Sequence, residues 1–239
     1  DWSKVPIYDV IAKAVARVSN RAFSRTLLFM RYPPHLEKAI AYAQDVVVST
    51  ELIRAFPNWL KPLLIRLTPI HRQRKLASEI MGWIVQERLD TNWEGKDKLD
   101  DMIQWLADTA PPVERTMPQI VERVMALNVA SIHTTTMTLT SALYTLGARW
   151  EKYTPILRKE VRQHCEGGEV TKQALSKLTR LDSFLRECGR FNIPDFVSVR
   201  LVCNARKDFR FKDGTIVPTG ARVGAPSLVL HNESQYYRD

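Results

Sequence analysis

The sequence predicts a mainly α-helical chain with a small β-hairpin region near its C-terminal end, and three observations carry that prediction. Glycine is scarce, 9 residues in 239, which leaves few of the turns that an all-β chain needs. Helical periodicity recurs from residue 5 onward, whereas strand-like runs are confined to the last fifth of the chain. Between Gln119 and Arg149 no proline and only one glycine, Gly147, interrupts the chain. Apolar residues make up 45% and aromatics 9%, which suits a globular core and argues against disorder.

Residues 5–23 read as a helix with Ile7, Val10, Ile11, Ala14, Val15 and Val18 on one face. A second periodic stretch runs from Leu36 to Phe56 and holds Ile40, Ala43, Val46, Val47 and Leu52. Pro57 to Leu67 is apolar, bounded by prolines and carries two cations. It fits a loop with one helical turn, or a short interfacial segment that dips into a membrane. Residues 71–90 form a further amphipathic helix, Thr91–Lys98 a polar loop, and Asp100–Asp108 a short helix. The pair Asp100-Asp101 invites comparison with the magnesium motif of terpenoid synthases, but position 104 is Gln where a third acid belongs. A solvated helix start, with acids favoured by the dipole, is the better reading.

The net charge of +9 admits nucleic acid, an anionic membrane surface or an acidic protein as partner. The cations are scattered: Arg72, Arg74 and Lys75 in one cluster, Arg158, Lys159 and Arg162 in another. Neither is interleaved with aromatics as a nucleic-acid platform requires, so both read as solvated faces and no nucleic-acid partner is expected. Cys165, Cys188 and Cys203 form no CxxC pair and no metal-ligand spacing. No run of 18 apolar residues is present to span a membrane.

The stretch from Thr116 to Arg149 carries the most information. Thr116-Met117-Pro118-Gln119 has the form of a capping box with proline in the first turn. The helix beyond it is apolar all round, through Ile120, Val124, Met125, Leu127, Val129, Ile132, Met137, Leu139, Leu143 and Leu146, the pattern of a helix buried in a larger protein. In its centre lies Ala130-Ser131-Ile132-His133-Thr134-Thr135-Thr136. Three threonines in a row are poor helix formers, and their hydroxyls can capture the carbonyl four residues back and loosen the helix. The cluster is either a self-satisfied polar patch or a functional kink beside a cofactor.

These residues resemble the central I helix of cytochromes P450, with its Ala/Gly-Gly-x-Asp/Glu-Thr-Thr/Ser motif. Ala130 and Ser131 fall on the small residues, His133 on the acid, Thr134 on the oxygen-site threonine and Thr135 on the next hydroxyl. The resemblance implies that Ala130 and Ser131 open a groove over haem. It also implies that Thr134, His133 and Thr135 serve oxygen activation and proton relay. Ser131 replaces the usual glycine and narrows the groove; His133 replaces the acid and, titrating near neutrality, can still relay a proton. The Ser-Ile-His-Thr-Thr form is similar to fungal members acting on terpenoids and other secondary metabolites. The expected geometry is a distorted turn, Ala130 to Thr135, deep inside the molecule and facing the porphyrin.

A second anchor lies in Leu181-Asp182-Ser183-Phe184-Leu185-Arg186-Glu187-Cys188-Gly189-Arg190-Phe191-Asn192. Glu187 and Arg190 stand at i and i+3, neighbours on a helix surface, a pairing that by itself is common. In this order after the long helix the phrase resembles the P450 K helix, where Glu and Arg form a buried structural ion pair. Pro194 ends the helical region. Arg200 resembles the arginine that contacts a haem propionate; a surface arginine is the alternative. Phe209–Phe211, Asp213-Gly214 and Ile216–Val217 give a hairpin signal, continued by Pro218 to Val223.

The resemblance implies a single partial P450 domain over 1–239: preceding helices to about 115, the I-type helix over 116–150, J- and K-type helices over 151–192, and the β region over 193–239. None of the cysteines sits in the family's haem-ligating loop. The membrane anchor and the early Trp-x-x-x-Arg helix are also missing, and both chain ends look like cuts. For the intact parent the resemblance implies haem, electrons from NADPH through a flavoprotein P450 reductase, and a small apolar substrate hydroxylated with dioxygen. It also implies a place on the cytoplasmic face of the endoplasmic reticulum membrane. The fragment itself is expected to be inactive and poorly folded alone. The rival readings are a non-enzymatic helical interaction protein and a helical terpenoid cyclase, the latter lacking its paired acid-rich motifs.

Overall fold

The computed structural model describes residues 3–24, 33–91, 99–165, 168–192, 198–202 and 207–237. Cys203, Pro194 and most of the 91–98 loop lie outside the described residues, as does the side chain of Arg200. The fold is mainly helical with short antiparallel strand pairs near the C-terminal end. Two compact units comprise Asp1–Thr140 and Ser141–Asp239.

The first unit contains α1 (Ile7–Phe23), α2 (Pro33–Arg54), α3 (Lys61–Leu67), α4 (Ile70–Asp90), α5 (Met102–Thr109) and most of α6 (Met117–Ala148). Its main core gathers Met81, Ile84 and Val85 of α4, Ile103 of α5, and Ile120, Val121, Val124 and Met125 of α6. These recur at three- and four-residue steps, so each helix turns one stripe inward. A smaller cluster joins Ala16 of α1, Ala39 of α2 and Ile132 of α6. Alanines there let the helix backbones approach closely around one large side chain.

Several faces differ from the sequence expectation. On α1 the buried stripe is Ile11, Ala12, Val15 and Ala16, while Val10 and Val18 are exposed. The stripe is rotated because its partners meet the alanines and not the flanking valines. On α2, Val47 and Leu52 are exposed although Ala39 and Ala43 are buried. Of the central helix, Ile120, Val124 and Ile132 are covered within this chain, whereas Met137, Leu139 and Leu143 are exposed. Residues 61–67, read as part of a loop with one helical turn or of an interfacial segment, form the short helix α3, none of whose residues is buried.

Asp101 corrects the picture of a solvated helix start. It is the N-cap of α5, accepting a hydrogen bond from the Gln104 N–H at 3.0 Å, as Asp does at this position. Its side chain is nevertheless 0% exposed and lies 3.5 Å from the guanidinium of Arg88, itself 3% exposed. Asp100 accepts from the Trp105 indole N–H at 2.8 Å. The dipole argument placed the acids correctly, but the partner that made burial tolerable came from α4, where local sequence gives no warning.

The second unit holds α7 (Trp150–His164), α8 (Lys172–Ser176), α9 (Thr179–Phe191), strands β1 (Ser198–Val202), β2 (Phe209–Arg210), β3 (Ile216–Val217) and β4 (Arg222–Ala225), and α10 (Ser227–Asn232). β1 pairs antiparallel with β4 through an irregularity between Val199 and Leu201; β2 pairs with β3 as the hairpin signal predicts. Gly214 supplies the φ of +91° that the Asp213-Gly214 turn requires.

Glu160 ties α7 to α9. Its carboxylate accepts from the backbone N–H of Arg180 at 2.9 Å and of Leu181 at 3.0 Å, and from the Thr179 hydroxyl at 3.4 Å. The first N–H groups of a helix have no partner within it, so a carboxylate from a neighbouring helix caps α9 and meets its dipole. Burial would raise the Glu160 carboxyl, but the Arg180, Leu181 and Thr179 hydrogen bonds and the Arg180 charge outweigh it and hold it below the ordinary value.

Candidate functional site

The centre of α6 is built on threonine back-bonding. Thr134 Oγ1 donates to the Ala130 carbonyl at 2.5 Å, Thr136 to Ile132 at 2.6 Å and Thr138 to Thr134 at 2.9 Å. α6 runs as helix without a break from Met117 to Ala148. A carbonyl has two lone pairs, so the hydroxyl can add its bond without displacing the backbone N–H.

Exposure within the turn is divided between two sides of the helix. Ala130, Thr134 and Thr135 are exposed, Ser131 and His133 are partly buried, and Ile132 and Thr136 are buried. The exposed side carries Ala126, Ala130, Thr134 and Thr138 at four-residue steps, a shallow stripe of small side chains. His133 faces α1, its Nδ1 lying 3.0 Å from the Tyr8 hydroxyl. Burial pushes His133 below its ordinary pKa, which favours the neutral imidazole. Among the described residues its buried Nε2 meets no hydrogen-bond partner.

On α9, Arg190 and Glu187 pair at 2.7 Å. The pair is not buried as a unit: Glu187 is 56% exposed and Arg190 17%. Arg190 also donates to the His231 carbonyl and stacks over Phe191 and Tyr237, 3.8 and 4.3 Å from their ring centres. Glu187 instead lines a hollow of about 400 Å³ with Tyr153, Phe184, Cys188 and Phe191. Arg200 lies in β1.

Sequence reasoning missed Tyr8, Glu160 and the Arg88–Asp101 pair. Tyr8 and His133 are 125 positions apart, and no local pattern links them. Glu160 sits among Arg158, Lys159 and Arg162 and reads as part of a charged surface.

A long central helix carrying a hydroxyl-rich turn, succeeded by a Glu-x-x-Arg helix and short strand pairs, makes a helical fold known from solved structures. The fold of "Retinoic acid bound cyanobacterial CYP120A1" superimposes with a TM-score of 0.70 at 20% identity, over 97% of this chain and 49% of that one. A zebra fish cytochrome P450 structure with progesterone gives 0.69 at 17%, over 97% and 52%. The cytochrome P450 family model matches residues 3–239. The chain belongs to the cytochrome P450 family.

Among curated relatives, it is 31% identical to the cytochrome P450 monooxygenase olcJ of Penicillium canescens, over 95% of this chain and 44% of the relative. It is likewise 31% identical to an ent-kaurene oxidase of Gibberella intermedia, over 99% of this chain and 44% of the relative. The chain thus spans a little under half the length of these relatives.

Family membership implies haem, and the described residues fit one side of it. The stripe of small side chains through Ala130 and Thr134 lets a flat group approach the helix. Of the described cysteines, Cys188 is buried in α9 and Cys165 directly follows α7.

Proposed function

We propose that the whole protein, of which residues 1–239 form part of a single P450 domain, is a haem-thiolate monooxygenase that hydroxylates a small apolar substrate with dioxygen. Bound haem supplies the iron at which dioxygen is reduced. The observation that carries the reading is Thr134: exposed on the small-residue stripe, with its hydroxyl hydrogen donated to the Ala130 carbonyl at 2.5 Å. Its oxygen lone pairs then face outward as acceptors and can hold a water. Ala130 and Ser131 keep the side chains short where the haem face would lie. Thr135 adds a second hydroxyl, and neutral His133 takes part in proton relay as an N–H donor. Arg200 would bind a haem propionate, since a guanidinium matches a carboxylate with two parallel bonds. Glu187 and Arg190 hold the region after α9 in place and do no chemistry.

The likeness to ent-kaurene oxidase supports a terpenoid or other secondary metabolite as substrate. Electrons would come from NADPH through a flavoprotein reductase. A membrane surface, the cytoplasmic face of the endoplasmic reticulum, suits α3. Trp59 and Leu67 are 79% and 77% exposed beside Lys61 and Arg66, and no acid occurs between Leu52 and Ser78. No described helix is long and apolar enough to cross a membrane.

The test is a carbon-monoxide difference spectrum of the reduced whole protein, which should show the thiolate Soret band; the 239-residue chain alone should not. T134A should keep the band and lower product formed per dioxygen consumed. A whole protein that folds cooperatively without binding haem would favour a non-enzymatic helical interaction protein.

A further inference from the structure

We propose that Tyr8 is a positioning residue for His133: its hydroxyl holds the imidazole in the tautomer that carries the proton on Nε2. The observation is the contact from the first turn of α1 to the middle of α6, Tyr8 Oη to His133 Nδ1 at 3.0 Å. A neutral imidazole has one donor nitrogen and one acceptor nitrogen, so fixing the role of one fixes the other. The ring nitrogen is far more basic than a phenol oxygen, which makes O–H to Nδ1 the stronger arrangement. Both groups are held neutral, as this requires. Burial, followed by the charge of Asp9, raises Tyr8, and burial lowers His133.

With Nδ1 accepting, Nε2 must be an N–H donor. That atom is buried and meets no acceptor among the described residues. A buried donor without a partner is unfavourable, so the position calls for an oxygen acceptor, from water or from a bound substrate. A carboxylate at this place would offer only acceptors at neutral pH; the Tyr8–His133 couple offers a fixed donor beside Thr134 instead. The catalytic meaning rests on the proposed monooxygenase reading, whereas the tautomer rests on the contact alone.

The tautomer is read directly by ¹⁵N NMR of the whole protein with labelled histidines, reduced and carbon-monoxide-bound so that the iron is diamagnetic, with H133Q assigning the signal. The expected wild-type spectrum has an unprotonated Nδ1 and a protonated Nε2. In Y8F the preference should collapse to mixed tautomers, and product per dioxygen should fall several-fold with the Soret band unchanged. A substrate-dependent Nε2–H shift identifies the substrate as acceptor, and an unchanged shift identifies water. A proton on Nδ1 in the wild type, or an identical tautomer in Y8F, overturns the proposal. A missing thiolate band defeats the monooxygenase reading instead, and the same nitrogen signals are then read in the haem-free protein.

Discussion

Replacing Asp101 tests how the buried charges of the first unit are held. The side chain has two jobs: it caps α5 through the Gln104 N–H and it faces the guanidinium of Arg88 in a place where both are almost fully covered. Losing the cap costs about 1 kcal/mol. Removing one partner of a buried pair costs on the order of 3–5 kcal/mol, because the other charge stays behind in a poor solvent. Arg88 makes further polar interactions, which puts its share at the lower end of that range, about 3 kcal/mol. In the whole protein D101A should therefore lose about 4 kcal/mol in urea unfolding monitored by circular dichroism. D101N keeps an oxygen that caps equally well and should lose about 3 kcal/mol, so the two variants differ by about the cap alone. A D101A loss under about 1 kcal/mol, or variants indistinguishable from each other, would refute the reasoning.

Three further outcomes are expected. The Glu160 carboxyl is depressed in the folded chain, so its contribution is present above the ordinary value of 4.5 and is lost as pH falls through the folded value. Wild-type melting should therefore drop relative to E160Q below pH 4.5; parallel curves would show that the α9 cap is not a carboxylate effect. E187Q should cost under about 1 kcal/mol, because that side chain is largely solvated. R190A should cost about 2 kcal/mol by losing the His231 carbonyl and two ring faces, and equal losses would contradict the asymmetry of the pair. I132A should cost about 3 kcal/mol in the same unfolding assay, since Ile132 is 0% exposed between Ala16 and Ala39; a loss near zero would mean that the three helices do not close on it.

Much of this molecule is legible along the chain. Periodicity located α1, α2, α4 and α6, because the spacing of apolar residues is a local property of a helix. The Asp213-Gly214 turn declared its hairpin for a similar reason: glycine is the residue that tolerates the turn's positive φ. The hydroxyl-rich turn of α6 and the Glu-x-x-Arg phrase of α9 stood out as sequence, and together they pointed to the family that the whole chain matches.

Which face of each helix is covered was decided only by tertiary structure. Val10 and Val18 are as apolar as Val15, yet of the three only Val15 is buried, and a single helix cannot signal where its neighbours lie. The polar couplings are less visible still: Tyr8 with His133, Arg88 with Asp101, and Glu160 with the start of α9 join residues 13 to 125 positions apart. Sequence sets the inventory of donors, acceptors and charges. Folding selects the pairs, because a buried polar group is stable only where another element brings it a partner.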